Sequence, residues 1–248
     1  MFYKQLHEKF FQLAENKSLL DNEITIKTRI LKPAEAIGNP DRKDFPLLKG
    51  KEVLMEALFM KAKGHAYTDA PSEFSGPLRK IFDFQLDDSR GKALFIASLN
   101  AVMRHLYPDM ATVHCKDNEP EECAEKMAEF IKTLKPNTFG LIGLQPAILD
   151  SMVKRLGAKN VSCIDRDEDN RGKIKYNVPI GWGDNEGMEK VFKKSDLVLA
   201  TGSSAVNGSL VDILRFSKNY NKPIYFFGVT IAGIARLMEL KSLCFKAT

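Results

Sequence analysis

The sequence predicts an α/β protein in two parts, a small mixed α+β unit followed by a parallel-sheet unit. Three observations carry this. The second half holds four short apolar runs, at 139–144, 160–165, 196–201 and 223–228, separated by amphipathic segments of helix length. Strands alternating with helices in this way imply βαβ units and a parallel sheet. The first half instead opens on a helical pattern and then an alternating strand. Between the halves KTLKPNT (132–138) gathers polar and turn residues, so the units are expected at 1–132 and 133–248.

In the first unit, Phe2, Leu6, Phe10 and Leu13 recur at helical spacing over residues 2–15. ITIKTRIL (24–31) alternates, with Ile24, Ile26 and Ile30 on one side and Thr25, Lys27 and Arg29 on the other, as a half-buried strand does. KEVLMEALFMKAKG (51–64) reads as a helix with Val53, Leu54, Ala57, Leu58 and Ala62 on one face and Gly64 as its cap. HAYTDAPSEFSGP (65–77) reads as a loop. GKALFIASLNAVMRHLYP (91–108) is an apolar helix stopped at Pro108, with one polar residue, Asn100, inside it.

In the second unit, helices are expected at 146–157, opened by Pro146 and closed by Gly157, and at 184–195, 209–220 and 230–240. Ser209 and Asp212 have the spacing of a capping box for the third of these.

Composition narrows the function. There are 37 Lys and Arg against 32 Asp and Glu, interspersed, so no basic block tracks a phosphate backbone and nucleic acid is not an expected partner. No apolar run is long enough to span a bilayer, and the N-terminal stretch lacks the pattern of a signal peptide. Four scattered cysteines, none in a CxxC pair, fit a reducing compartment, so a cytoplasmic location is expected. Homo-oligomerisation stays open.

In open α/β sheets ligands bind beyond the carboxyl ends of the strands. Those ends carry Gly143 and Gln145, then Asp165, then TGSSAVNGS (201–209), then Thr230. Gly202, Ser203, Ser204 and Asn207 offer close backbone approach and polar groups ahead of a helix start, which favours anions. Asp165 lies 22 residues after Gly143, near the spacing of a ribose-binding acid, but Leu144-Gln145-Pro146-Ala147 replaces the glycines a pyrophosphate needs. Bound NAD is therefore not expected.

TVHCKDNEPEEC (112–123) places a histidine beside a cysteine. Asn118, Pro120 and Glu121 read as the start of a helix whose apolar stripe is Cys123, Met127, Phe130, Ile131 and Leu134. Cys123 thus reads as a core thiol. His114 and Cys115 precede the helix, where an extended backbone would send them to opposite faces. No Cys/His spacing matches a structural zinc site.

The runs GHAYTDAPSEFSG, SLNAV, TVHCKDNEPEEC, GLIGLQPAIL and TGSSAVNGS, in this order, resemble an uncharacterised prokaryotic family described as "putative heavy-metal chelation" proteins. The resemblance implies an enolase-N-terminal-like domain followed by a Rossmann-like domain, with a site where they meet. It implies a transition-metal ion or a metal-bearing small molecule as ligand. His114 and Asp69 are then the candidate catalytic groups, and His114 and Cys115 the candidate metal ligands. Thr68, Glu73 and Asn100 would face Gly143, Gln145, Asp165, Gly202, Ser203, Ser204, Asn207 and Thr230 across the pocket. The chain departs from the family in GVTIAGIARL (228–237), where a proline- and serine-rich loop is usual. Two alternatives stand beside chelation: a transferase or lyase acting on a nucleotide-like or phosphorylated molecule, and a non-catalytic binding module. Whether the protein is an enzyme stays open.

Overall fold

The structure, a computed structural model, describes residues 1–27, 37–45 and 53–248. Helix α1 (Phe2–Asn16) forms as its periodicity predicts, burying Leu6, Phe10 and Ala14. Strand β1 (Glu23–Lys27) buries Ile24 and Ile26. Residues 28–31 of the expected strand lie outside the described residues.

The segment read as a helix over 51–64 is a hairpin. β2 (Val53–Phe59) pairs antiparallel with β3 (Ala62–Thr68), Phe59 opposite Ala62. Only Met60 and Lys61 connect them, and Met60 takes φ 53°. Turns of this kind usually announce themselves with Gly or Asn, and none stands here. The apolar residues of VLMEALF fit a helical stripe almost as well as a strand. β1 decides between them by pairing with the other edge of β2. Gly64 is no helix cap. A Cβ there would lie 2.1 Å from the Ala101 backbone nitrogen, so this glycine lets a helix press onto β3. The expected loop 65–77 also shortens, since β3 runs to Thr68 and β4 (Phe74–Pro77) pairs antiparallel with β1. The sheet order is β3-β2-β1-β4.

Helix α2 (Ser89–Leu106) lies on this sheet, with its first turn capped by the Asp88 carboxylate accepting from Gly91 N at 2.7 Å. Every residue from Gly91 to Met103 is buried. Phe10 and Phe95 meet edge to face at 5.4 Å beneath α1. Helix α3 (Glu119–Thr133) follows, and packs on α4 (Pro146–Leu156) of the second half. Asn118 precedes α3 without capping it, because its side chain bonds the backbone nitrogen and carboxylate of Asp41 instead.

The second sheet contains β5 (Phe139–Ile142), β6 (Val161–Asp165), β7 (Ile174–Lys175), β8 (Val178–Trp182), β9 (Leu197–Thr201), β10 (Ile224–Phe227) and β11 (Ser242–Leu243), in the order β11-β10-β9-β5-β6-β8-β7. All pairs are parallel except β7 with β8. Strand β8 was not anticipated, because Pro179 and Gly181 disguise it. Helices α5 (Asn185–Lys194), α6 (Ser204–Asn207), α7 (Leu210–Tyr220) and α8 (Ala232–Leu237) complete the unit. The strands are apolar on both faces, as parallel strands covered on two sides must be. Ile142, Ile164, Val198 and Phe226 join the core of α1 and α2, while Leu141, Cys163 and Leu199 join that of α3 and α4. The capping box expected at Ser209 does not form. Ser209 Oγ donates to Asn207 Oδ1 at 2.7 Å, and Asp212 pairs with Arg215. Among the described residues no helix is long and apolar enough to cross a membrane.

Asn100 joins the two halves. Its Nδ2 donates to His65 O at 2.8 Å and Val229 O at 3.1 Å, with Thr230 O at 3.3 Å, and its Oδ1 accepts from Gly233 N at 2.7 Å. It is fully buried. Replacing it by alanine leaves several buried backbone groups unpaired, each at about 1–3 kcal/mol. Urea unfolding of Asn100→Ala is expected to show a loss of about 3 kcal/mol, against less than about 1 kcal/mol for the nearby Ser98→Ala.

Candidate functional site

A cavity of about 610 Å³ opens at the carboxyl ends of β5, β6, β9 and β10. In the order of the central strands β8-β6-β5-β9-β10, the chain starts at β5 and steps outward first to one side and then to the other, so the cavity covers the switch point where open α/β sheets bind ligands. Its far wall comes from the first half, through Tyr67, Thr68 and Asp69 at the end of β3 and through His114 and Cys115. The backbone bends at Val113, so His114 and Cys115 both reach the cavity although adjacent residues of a straight strand would diverge.

Of the residues singled out in the sequence, Thr68, Asp69, His114, Cys115, Gly143, Gln145, Asp165, Gly202, Ser203, Asn207 and Thr230 line this cavity. Glu73, Asn100 and Ser204 do not. Glu73 is exposed between β3 and β4, Asn100 is consumed by the junction described above, and Ser204 is buried in α6.

Several of the lining groups are already engaged. Asp165 accepts from Leu144 N at 2.6 Å, Asp167 N at 2.8 Å and Asn170 Nδ2 at 3.0 Å, so it ties down the loops that follow β5 and β6. Gln145 Oε1 caps α4 through Ile148 N at 2.7 Å. Thr230 Oγ1 accepts from Tyr67 N at 3.0 Å and so links the two walls. In TGSSAVNGS, Thr201 and Ser203 share a hydroxyl contact of 2.9 Å, and Asn207 Oδ1 accepts from both Ser209 N and Ser209 Oγ. Gly143 sits at φ +89°, and a Cβ there would meet Thr201 Cγ2 at 2.5 Å. The helix start expected to cradle an anion after β9 is broken up, because the four-residue α6 intervenes before α7.

Residues 126–239 match the DUF364 family, described as "Putative heavy-metal chelation". Two solved DUF364 proteins of unknown function resemble the chain more widely. One, from Pyrococcus horikoshii, is 17% identical with TM-score 0.57, covering 96% of this chain and 83% of its own. The other, from Desulfitobacterium hafniense DCB-2, is 14% identical with TM-score 0.51, covering 80% of this chain and 77% of its own. At these identities the likeness is one of fold, and it extends over both sheets. No curated protein matches the chain.

The DUF364 description raises the question of metal donors. Among the described residues no group of three or more His, Cys, Asp and Glu side chains is arranged to hold an ion. The expected pair is poorly prepared. Burial pushes the Cys115 thiol up to about 12, helped by Cys123 and Glu119 nearby, so it is protonated at neutral pH. The His114 ring packs edge-on against Tyr67 at 5.5 Å. Cys123, which reads as a core thiol in the sequence, and Cys244 also line the cavity. Cys123 falls on the apolar stripe of α3 and so looked like core. Cys244 follows β11, an edge strand with no signal of its own in the sequence.

Behind His114, the buried His65 pairs with the half-buried Glu56. His65 Nδ1 accepts from His114 N at 3.1 Å, which leaves Nε2 to face Glu56 Oε2 at 3.1 Å. With both nitrogens engaged, His65 holds the wall. His65, and then Lys63, hold the Glu56 carboxyl down to about 2. A depressed carboxyl pKa stabilises the fold above the ordinary value of 4.5, and that contribution is lost as pH falls from there toward 2. Acid titration of the unfolding midpoint is expected to fall more steeply over this window in the wild type than in Glu56→Gln.

Proposed function

We propose that the protein binds a soft metal ion, or a small molecule that carries one, in the cavity at the strand ends. One observation carries this reading: Cys115, Cys123 and Cys244, from three separate segments, line a single cavity. Its volume is typical of small-molecule sites. Thiolates select soft ions over Mg²⁺ and Ca²⁺. Since no three donors stand ready among the described residues, the incoming molecule supplies the remaining coordination, which favours a chelated ion over a bare hard cation. If the ion is handed on to an organic acceptor, Asp69 at the rim and His114 on the wall are the groups placed to take the released protons. The Rossmann-like reading of the second sheet supports a ligand at the same switch point.

That strand order also favours a second reading, in which the cavity takes a nucleotide-like or phosphorylated molecule. Against it, Asp165 already accepts three protein donors and so is poorly placed to grip a ribose.

The test uses tag-free protein equilibrated with Cu⁺, Zn²⁺, Co²⁺ or Ni²⁺, desalted, and analysed by elemental mass spectrometry. Near-stoichiometric retention of a soft ion is expected. It should drop in Ala247→Trp, which adds bulk to the cavity wall, and the melting temperature should rise with the retained ion. Retention of none of these ions, together with a melting temperature raised by phosphate-bearing ligands, would favour the second reading.

A further inference from the structure

We propose that Cys123 and Cys244 form a two-coordinate thiolate site for a soft d¹⁰ ion such as Cu⁺ or Hg²⁺ on the wall of the cavity. This rests on the metal reading above and moves the donors away from His114 and Cys115.

The two thiols come from distant parts of the chain. Cys123 lies in the second turn of α3, and Cys244 directly follows β11. The parallel pairing of β11 with β10 carries the second thiol across the sheet edge to the first. Both thiols line the cavity, and they lie close enough to shift one another. Phe245 N donates to Cys123 Sγ, at 3.3 Å. Such donors favour the thiolate. Accordingly Cys123 is held below the ordinary thiol range, first by Cys244 and then by the backbone N–H groups of Phe245 and Lys246, against the opposing effect of burial. Cys244 is pushed up, first by Cys123 and then by burial.

A soft monovalent cation takes the place of the thiol protons. Each sulfur that still carries a proton loses it to solvent as two S–Cu bonds form, and the site becomes RS–Cu–SR with one negative charge. The Phe245 N–H and the nearby Lys126 charge offset that residue of charge. Linear coordination needs only two donors, which agrees with the lack of a three-donor group among the described residues. Tetrahedral Zn²⁺ needs four, so discrimination against it follows from the donor count.

The experiment titrates full-length, tag-free, reduced protein with Cu⁺ against a chromophoric Cu⁺ chelator, in the wild type and in Cys123→Ser, Cys244→Ser, Cys115→Ser and the Cys123→Ser/Cys244→Ser double variant. The melting temperature of each metal-free variant checks its folding, and alanine replaces serine at any position where serine unfolds the chain. One Cu⁺ per chain is expected in the wild type. Each of Cys123→Ser and Cys244→Ser should weaken binding by more than the roughly tenfold to hundredfold that loss of an outer-shell group costs. Cys115→Ser should leave it nearly unchanged. Full affinity in the folded double variant would overturn the assignment while leaving a metal site elsewhere in the cavity. Loss in Cys115→Ser equal to that in Cys123→Ser would overturn it in favour of a different donor set. Failure of the wild type to take up Cu⁺ or Hg²⁺ would sink the metal reading itself.

Discussion

The buried amide of Asn100 is the constraint on which the cavity depends. It stands in the middle of a helix buried along thirteen consecutive residues, from Gly91 to Met103, where a polar side chain is costly unless each of its groups is matched. Each is matched, and the partners belong to different parts of the molecule: the backbone of β3 on one side, and the turn after β10 on the other. The helix thereby fixes how the antiparallel sheet approaches the ends of the parallel one. Thr230, which borders the same turn, repeats the link through Tyr67 N. The cavity is the space this junction leaves.

Its walls divide in character. On the parallel-sheet side, most polar groups in reach of a ligand are turned to local work. Asp165 ties two loops, Gln145 caps a helix and Asn207 closes a turn. The opposing side and the chain's last residues carry the sulfur. An edge strand that pairs through just two residues, Phe226 with Ser242 and Phe227 with Leu243, is enough to bring Cys244 to Cys123. A soft donor set assembled from an early helix and a late strand is available only in the folded chain, so binding there would stabilise the fold.

The sequence revealed the parallel unit better than the antiparallel one, for a physical reason. Buried parallel strands are continuous apolar runs, and Phe139–Ile142, Leu197–Thr201 and Ile224–Phe227 stand out as such. The β2–β3 hairpin is hidden because Met60, not Gly or Asn, takes its positive-φ turn, and because Ala57, Leu58 and Ala62 also fit a helical face. Gly64 reads as a helix cap in the sequence, and only its packed neighbour Ala101 shows that it serves close approach instead. For the site, the rule that ligands gather at strand ends located most of the lining residues. It did not foresee which would be engaged internally, since hydrogen bonds such as those of Asp165 join segments that only the fold brings together. Asn100, expected to face the pocket, is instead matched by backbone groups across the junction. Cys244 carries no local motif, and its neighbour Cys123 lies more than a hundred residues away.

The most direct measurement is anomalous diffraction from a crystal of the reduced protein grown with one equivalent of Hg²⁺. The account predicts one dominant peak inside the cavity, bounded by α3 and the ends of β5, β9 and β10, within bonding distance of cysteine sulfur. A dominant peak outside the cavity, for instance at Cys163 beneath the sheet, or no ordered metal at all, would contradict the claim that this cavity is built to receive a metal-bearing ligand.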